Sequence, residues 1–186
     1  MPRTIALAAC TLIALTGAHA ADVKRQQDAG LRYAVPMTWN RVPAPSDMRA
    51  AQFQIPAPEG AAGGEGGELV LLFFGKGQGG SAEQNLQRWY GQFQQPDGKP
   101  SSEAAVVTIR TINGLKVTAV DVSGTYTAMP VRGAAPGAGK ANYRMLAAVV
   151  EGEGGPWFFR ATGPAATIGA AKPQFDAMLE SLEAHN

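Results

Sequence analysis

Leu69-Val70-Leu71-Leu72-Phe73-Phe74 is an unbroken apolar run that ends at Gly75. It is too short for a helix, and it has no polar position at the alternating spacing of a half-exposed strand. It therefore predicts a strand covered on both faces, inside a sheet with a layer on each side. Two segments can supply those layers. Leu86, Trp89, Tyr90 and Phe93 fall at i, i+3, i+4 and i+7, one apolar stripe of a helix. Ser81 opens that helix, with Gln84 in the reciprocal capping position. Phe175, Met178, Leu179 and Leu182 form a second stripe, and Pro173 is expected near its start, where a missing N–H costs nothing.

The other strands follow from alternation and breakers. Residues 31–35 end at Pro36, and residues 48–55 end at Pro56. Residues 106–112 and 115–126 flank Asn113-Gly114, whose two residues adopt the positive φ that a tight hairpin needs. That turn sets Val106 opposite Asp121 and Arg110 opposite Val117. Residues 143–150 and 157–162 form another hairpin. The order is β-β-β-α-β-β-β-β-α, an α+β domain. Two helices are too few for a large parallel sheet. They suffice for the two faces of a single mostly antiparallel sheet of about six to seven strands, an α/β/α sandwich. Residues 57–67, with five glycines, and 128–141 read as surface loops.

The N-terminus concerns location. Arg3, an apolar stretch from Ile5 to Thr16, and Ala18-His19-Ala20 are the three parts of a secretory signal in order. Residues 1–20 therefore read as a cleaved leader, 21–30 as a polar, flexible segment, and 31–183 as one globular domain. The apolar stretch is shorter than the roughly 20 residues a membrane-crossing helix needs, and no later stretch is long enough. Leu7-Ala8-Ala9-Cys10 also fits the pattern before a lipid-modified cysteine, but would leave an unusually short apolar core before Cys10. Export places the chain in a periplasm or outside the cell.

With Arg3 gone, 15 basic residues (16 less one) balance 15 acidic ones, and none of the basic residues forms a run. Counter-ion release then has little to act on, so nucleic acid is not an expected partner. The single cysteine, Cys10, lies in the leader. The two histidines are His19, also in the leader, and His185, expected in a disordered tail. A histidine-based triad, a Cys-His pair and a zinc site of usual composition are therefore not expected. No catalytic residue, metal site or cofactor is assigned. Asp121, between Val120 and Val122, is expected to pair with Arg110, Arg144 or Arg160.

Tyr33-Ala34-Val35-Pro36-Met37-Thr38-Trp39 and Phe158-Phe159-Arg160-Ala161-Thr162-Gly163, running on to Phe175 and Ser181-Leu182, are similar to the opening and closing segments of the PsbP-like family. The resemblance spans roughly residues 30 to 183. It implies an α/β/α sandwich, non-enzymatic partner binding outside the cytoplasm, and no catalytic residues. The long Gly/Ala loops depart from the family pattern.

Two surfaces are candidates for binding. Gly75-Lys76-Gly77-Gln78-Gly79-Gly80 matches G-x-G-x-x-G between a buried strand and a helix. Gly75, Lys76, Gly77, Gly79, Gly80 and Ser81 would hold an anion on unpaired N–H groups. The alternative is a plain strand-to-helix turn. The segment after the helix lacks the acidic residue that would hold a ribose, so a dinucleotide is not expected. Alternating chain direction places the Trp39/Arg41 loop, residues 75–80 and the 151–155 turn at one end. Trp39, Arg41 and Lys76 then form a candidate contact surface for an unknown protein partner. The alternative for Trp39 is a plug in the core. The function expected first is a non-enzymatic exported module docking on another envelope or extracellular protein. The second is a small-ligand or anion binder at residues 75–80, and the third a hydrolase working through carboxylates.

Overall fold

A computed structural model describes residues 22–60, 64–127 and 138–185. The expected leader, with Cys10, lies outside the described residues, as do parts of both glycine-rich loops. In chain order the elements are β1 Val23–Asp28, β2 Leu31–Pro36, β3 Asn40–Arg41, β4 Arg49–Ile55, β5 Gly67–Leu72, α1 Ala82–Tyr90, β6 Phe93–Gln94, α2 Ser101–Ala104, β7 Val106–Ile112, β8 Leu115–Tyr126, β9 Lys140–Glu151, β10 Trp157–Pro164, α3 Ala165–Glu180 and β11 Glu183–Ala184.

The expected single sheet is two sheets. The larger has eight strands along β3-β4-β5-β10-β9-β8-β6, with β7 also on β8. The smaller has three, in the order β1-β2-β11. The long ladders are antiparallel: Phe159 lies opposite Leu71 and also opposite Ala148. β5 sits between β4 and β10, with Leu69, Val70 and Leu71 inaccessible to solvent. The strand stops at Leu72, and Phe74 is exposed. The Asn113-Gly114 turn has both residues at positive φ and produces the expected register, Val106 against Asp121 and Arg110 against Val117.

One face of the large sheet packs against α3 and the small sheet, burying Leu31, Tyr33, Trp39, Phe53, Trp157, Phe159 and Phe175 together. The other face packs against α1, through Leu86, Trp89, Val120, Met145 and Phe158. Ser81 and Gln84 exchange both hydrogen bonds of the capping box.

Four further expectations are corrected. Residues 21–30, read as flexible, contain β1, which pairs with β2 from Val23–Pro36 to Asp28–Leu31. β1 is polar because only one edge and part of one face are covered, so it lacks the apolar alternation that marks a strand. The C-terminal segment is ordered as well: β11 pairs with the other edge of β2, and the His185 N–H donates to the Gly30 carbonyl (2.8 Å). Helix α3 starts eight residues before Pro173, which lies inside it and removes the N–H that would bond the Gly169 carbonyl. A third, short helix, α2, stands before β7.

Candidate functional site

At the end of the large sheet where β4 finishes and β5 starts, the strands approach unusually closely. Ile55 lies opposite Gly67, and Glu68 lies opposite both Gln54 and Thr162. A Cβ on Gly163 would sit 2.8 Å from the Cα of Gly67, and one on Gly66 would sit 2.6 Å from the Ile55 carbonyl oxygen. Only glycine fits there. The consequence is a floor of bare backbone beneath a groove of about 790 Å³, rimmed by Asn40, Gln54, Glu65, Lys140 and Tyr143.

The rim carries a fixed polar set. Glu65 accepts hydrogen bonds from Lys140 Nζ (3.0 Å) and from the Tyr143 hydroxyl. Lys140 Nζ also lies 2.8 Å from the Tyr143 hydroxyl and 4.9 Å from its ring centroid. The Tyr143 ring stacks on Tyr126, with centroids 5.8 Å apart. The Thr167 hydroxyl holds the Glu65 carbonyl at 2.9 Å, tying the glycine-rich segment to α3. The bond from Tyr143, then that from Lys140, lowers the Glu65 pKa. Bonds to Tyr143 and Glu65 raise that of Lys140. Burial, followed by the bond to Glu65, raises that of Tyr143. Each group is pushed further from neutrality, so the rim presents one carboxylate, one ammonium and one neutral phenol across the physiological range. The groove rim is thus a fixed array of hydrogen-bond donors and acceptors. Thr162 lines the same groove, and its buried hydroxyl oxygen has no hydrogen-bond partner among the described residues.

The G-x-G-x-x-G loop lies at the other end. Gly75, Gly77, Gly79 and Gly80 all have positive φ. The N–H of Gly77 donates to the Gly155 carbonyl (2.9 Å), that of Gln78 to Gly75 (3.0 Å), that of Ser81 to Gln84 Oε1 (3.0 Å) and that of Gln84 to Ser81 Oγ (3.2 Å). Of the donors an anion would use, those of Gly77 and Ser81 are thus engaged internally, and Glu83 puts negative charge in the first turn of α1. The Gly79 carbonyl is held by Asn85 and Arg88, and a Cβ there would strike Phe158. Lys76, within this loop, is exposed. The bond between Gly77 and Gly155 does bring the loop to the 151–155 turn.

Trp39 and Arg41 are not on that surface. β3 sets Asn40 opposite Gln54, towards the groove end, whereas the glycine loop follows Leu72, whose partner in β4 is Arg49. The end assignment fails because the chain turns tightly at Pro36–Trp39 (Trp39 N–H to the Pro36 carbonyl, 3.0 Å) and then runs back along the sheet. Trp39 is only 2% exposed and packs in the core, so it is a plug and not an interface anchor. Arg41 grips Asp28 with both nitrogens (2.6 and 3.0 Å) and lies 5.6 Å from the centroid of Phe53, clamping the small sheet to the large one. Of the arginines considered for Asp121, Arg144 forms the pair, a two-pronged bond of 2.7 and 2.6 Å; Arg110 pairs with Glu180.

Cyanobacterial PsbP from Synechocystis superimposes on this chain with a TM-score of 0.51 at 15% identity, covering 96% of this chain and 99% of that one. The fold is PsbP-like. A protein of unknown function from Pseudomonas aeruginosa is also similar, at a TM-score of 0.49 and 12% identity, over 88% of this chain and 98% of that one. No family model matches the sequence, and no curated protein matches it. In this PsbP-like domain, Glu65, Tyr126, Lys140 and Tyr143 are the site residues that sequence reasoning missed. Glu65 and Tyr143 are 78 positions apart, and the pairing of Tyr126 with Lys140 follows a register shift after Gly124. The one visible signal was two tyrosines, each beside a glycine-rich loop. Among the described residues no three His, Cys, Asp or Glu side chains cluster as metal ligands, and no helix is long and apolar enough to cross a membrane.

Proposed function

We propose that this chain is an exported, non-enzymatic binding module that docks on another envelope or extracellular protein, and that the groove rimmed by Glu65, Lys140 and Tyr143 is where it docks. The observation carrying this reading is the groove itself, with its glycine floor beneath a rim of amides and fixed charges. Backbone left bare lets a partner's chain approach closely, while Asn40, Gln54, Glu65 and Lys140 offer donors and acceptors at its edge. Export is supported by the order of parts in residues 1–20 and by β1 starting at Val23, just after the expected cut at Ala20. Balanced charge supports a protein partner over nucleic acid.

A photo-crosslinking residue at Gln54 on the groove rim, compared with one at Lys76 within the glycine loop, tests the assignment in the native envelope. A discrete heavier adduct from position 54 alone is expected. An adduct from position 76 alone, or from neither, would show the groove is not the docking surface. A second reading, a small ligand in the groove, rests on the unpartnered Thr162 hydroxyl. Thr162→Val would then abolish a ligand-induced rise in melting temperature seen with the parent.

A further inference from the structure

The strongest feature outside the groove is β7, at the opposite edge of the large sheet from β3. It pairs with β8 without interruption from Val106–Asp121 to Ile112–Leu115. A two-residue turn closes on a hydrogen-bonded pair, here Ile112–Leu115. Alternation then directs the N–H and C=O groups of Arg110, Thr108 and Val106 toward β8. Those of Val107, Ile109 and Thr111 point the other way. Among the described residues no strand takes them up, since β6 meets β8 beyond β7, at Thr125 and Tyr126. Val106, Val107 and Ile109 are 63%, 40% and 66% exposed.

Edges of this kind are normally blunted by a lysine, a proline, a bulge or simple shortness. At the far edge, β3 has only two residues. β7 has seven, with no proline, lysine or bulge, and its single charge, Arg110, is already paired with Glu180.

We infer that the edge of β7 is covered by β7 of a second copy of this chain, joining the two large sheets about a two-fold axis through Ile109. The strand is self-complementary in that register. Ile109 faces Ile109, and Val107 faces Thr111 on either side, so the outward backbone groups of each copy meet as hydrogen-bonded pairs. The apolar side chains of Val107 and Ile109 share one face of that junction. On the other face Thr108 meets Arg110 and Val106 meets Ile112, so no like charges are directly opposed. A two-fold contact requires a surface to complement itself in this way. The inference is independent of the groove.

The sole cysteine, Cys10, allows a clean test. In the full chain carrying Cys10→Ser, Ile109→Cys and Val107→Cys are introduced singly. Across a hydrogen-bonded antiparallel pair the two 109 Cα atoms lie about 5.5 Å apart, within disulfide range. The two 107 positions, four residues out of register, are separated by about 14 Å, which is beyond it. Mild oxidation is expected to crosslink position 109 at least about tenfold more than position 107. Sedimentation of the parent should give a dimer at about 100 μM, and Ile109→Lys a folded monomer by circular dichroism. A parent that sediments as a monomer, equal crosslinking at the two positions, or a dimer that survives Ile109→Lys would each overturn the inference.

Discussion

Tyr33 offers a quantitative test of how the small sheet is fastened. Its side chain is 2% exposed, with its ring edge-on to Phe159 (5.3 Å) and Phe53 (6.4 Å), and its hydroxyl donates to Asp28 at 2.7 Å. Burial first, and then the bond to Asp28, holds its phenol far above the usual range. In the unfolded chain the same phenol ionises near pH 10. The folded-state pKa is raised, so the stabilisation is fully present below about pH 10 and is lost as pH climbs towards the folded value. At pH 11 the unfolded state gains RT ln(1 + 10), about 1.4 kcal/mol, from this one residue. Tyr33→Phe removes the hydroxyl and with it this alkaline loss. At pH 8 the variant should be less stable by about 1 kcal/mol, one hydrogen bond, because Asp28 keeps Arg41. Urea unfolding of both proteins at pH 8 and pH 11 measures the difference. The parent should lose about 1.4 kcal/mol more than the variant between the two. Equal losses would mean that Tyr33 ionises in the fold, and the tight seating of β2 against Phe53 and Phe159 would be wrong.

Trp39→Ala should cost about 3–5 kcal/mol in urea unfolding if the residue plugs the core, whereas an interface tryptophan would leave the isolated domain's stability unchanged. Gly163→Ala should cost about 1–3 kcal/mol, because its methyl group would force β5 and β10 apart at Gly67; a neutral result would refute the close approach under the groove. Asp121→Asn should lower stability by about 2 kcal/mol, since its partner Arg144 is three-quarters buried. Arg110→Ala, at a far more exposed pair, should cost under about 1 kcal/mol, and a reversed ranking in thermal melts would refute the argument from burial.

What could be read ahead of the coordinates was whatever is decided locally or by strong apolar pattern. The run at Leu69, the Ser81/Gln84 box and the Asn113-Gly114 register all depend on neighbours a few residues away, and all appear in the structure. The small sheet was missed because β1 is polar and β11 has two residues, so neither leaves a periodic trace. The Pro36–Trp39 reversal hid inside what looked like one loop, which misplaced Trp39 and Arg41. The groove was invisible for another reason: its rim comes from β3, β4, β9 and the segment before β5, and only sheet register brings these together. At the glycine motif, Gly79 allows close packing on Phe158 and Gly77 bonds to Gly155, contacts that lie far from the motif in sequence.

β2 is flanked by β1 on one edge and by β11 on the other, so a strand begun at Val23 and one ended at Ala184 share a single partner. That layer cannot be completed while residue 184 is still on the ribosome or inside a translocation pore. A chain threaded outward from its N-terminus would therefore hold the Leu31–Arg32 edge of β2 unpaired until Glu183 and Ala184 had emerged. Pairing of β11 with β2 is what closes this layer, and loss of Glu183 and Ala184 should leave a molecule that is built but unlatched.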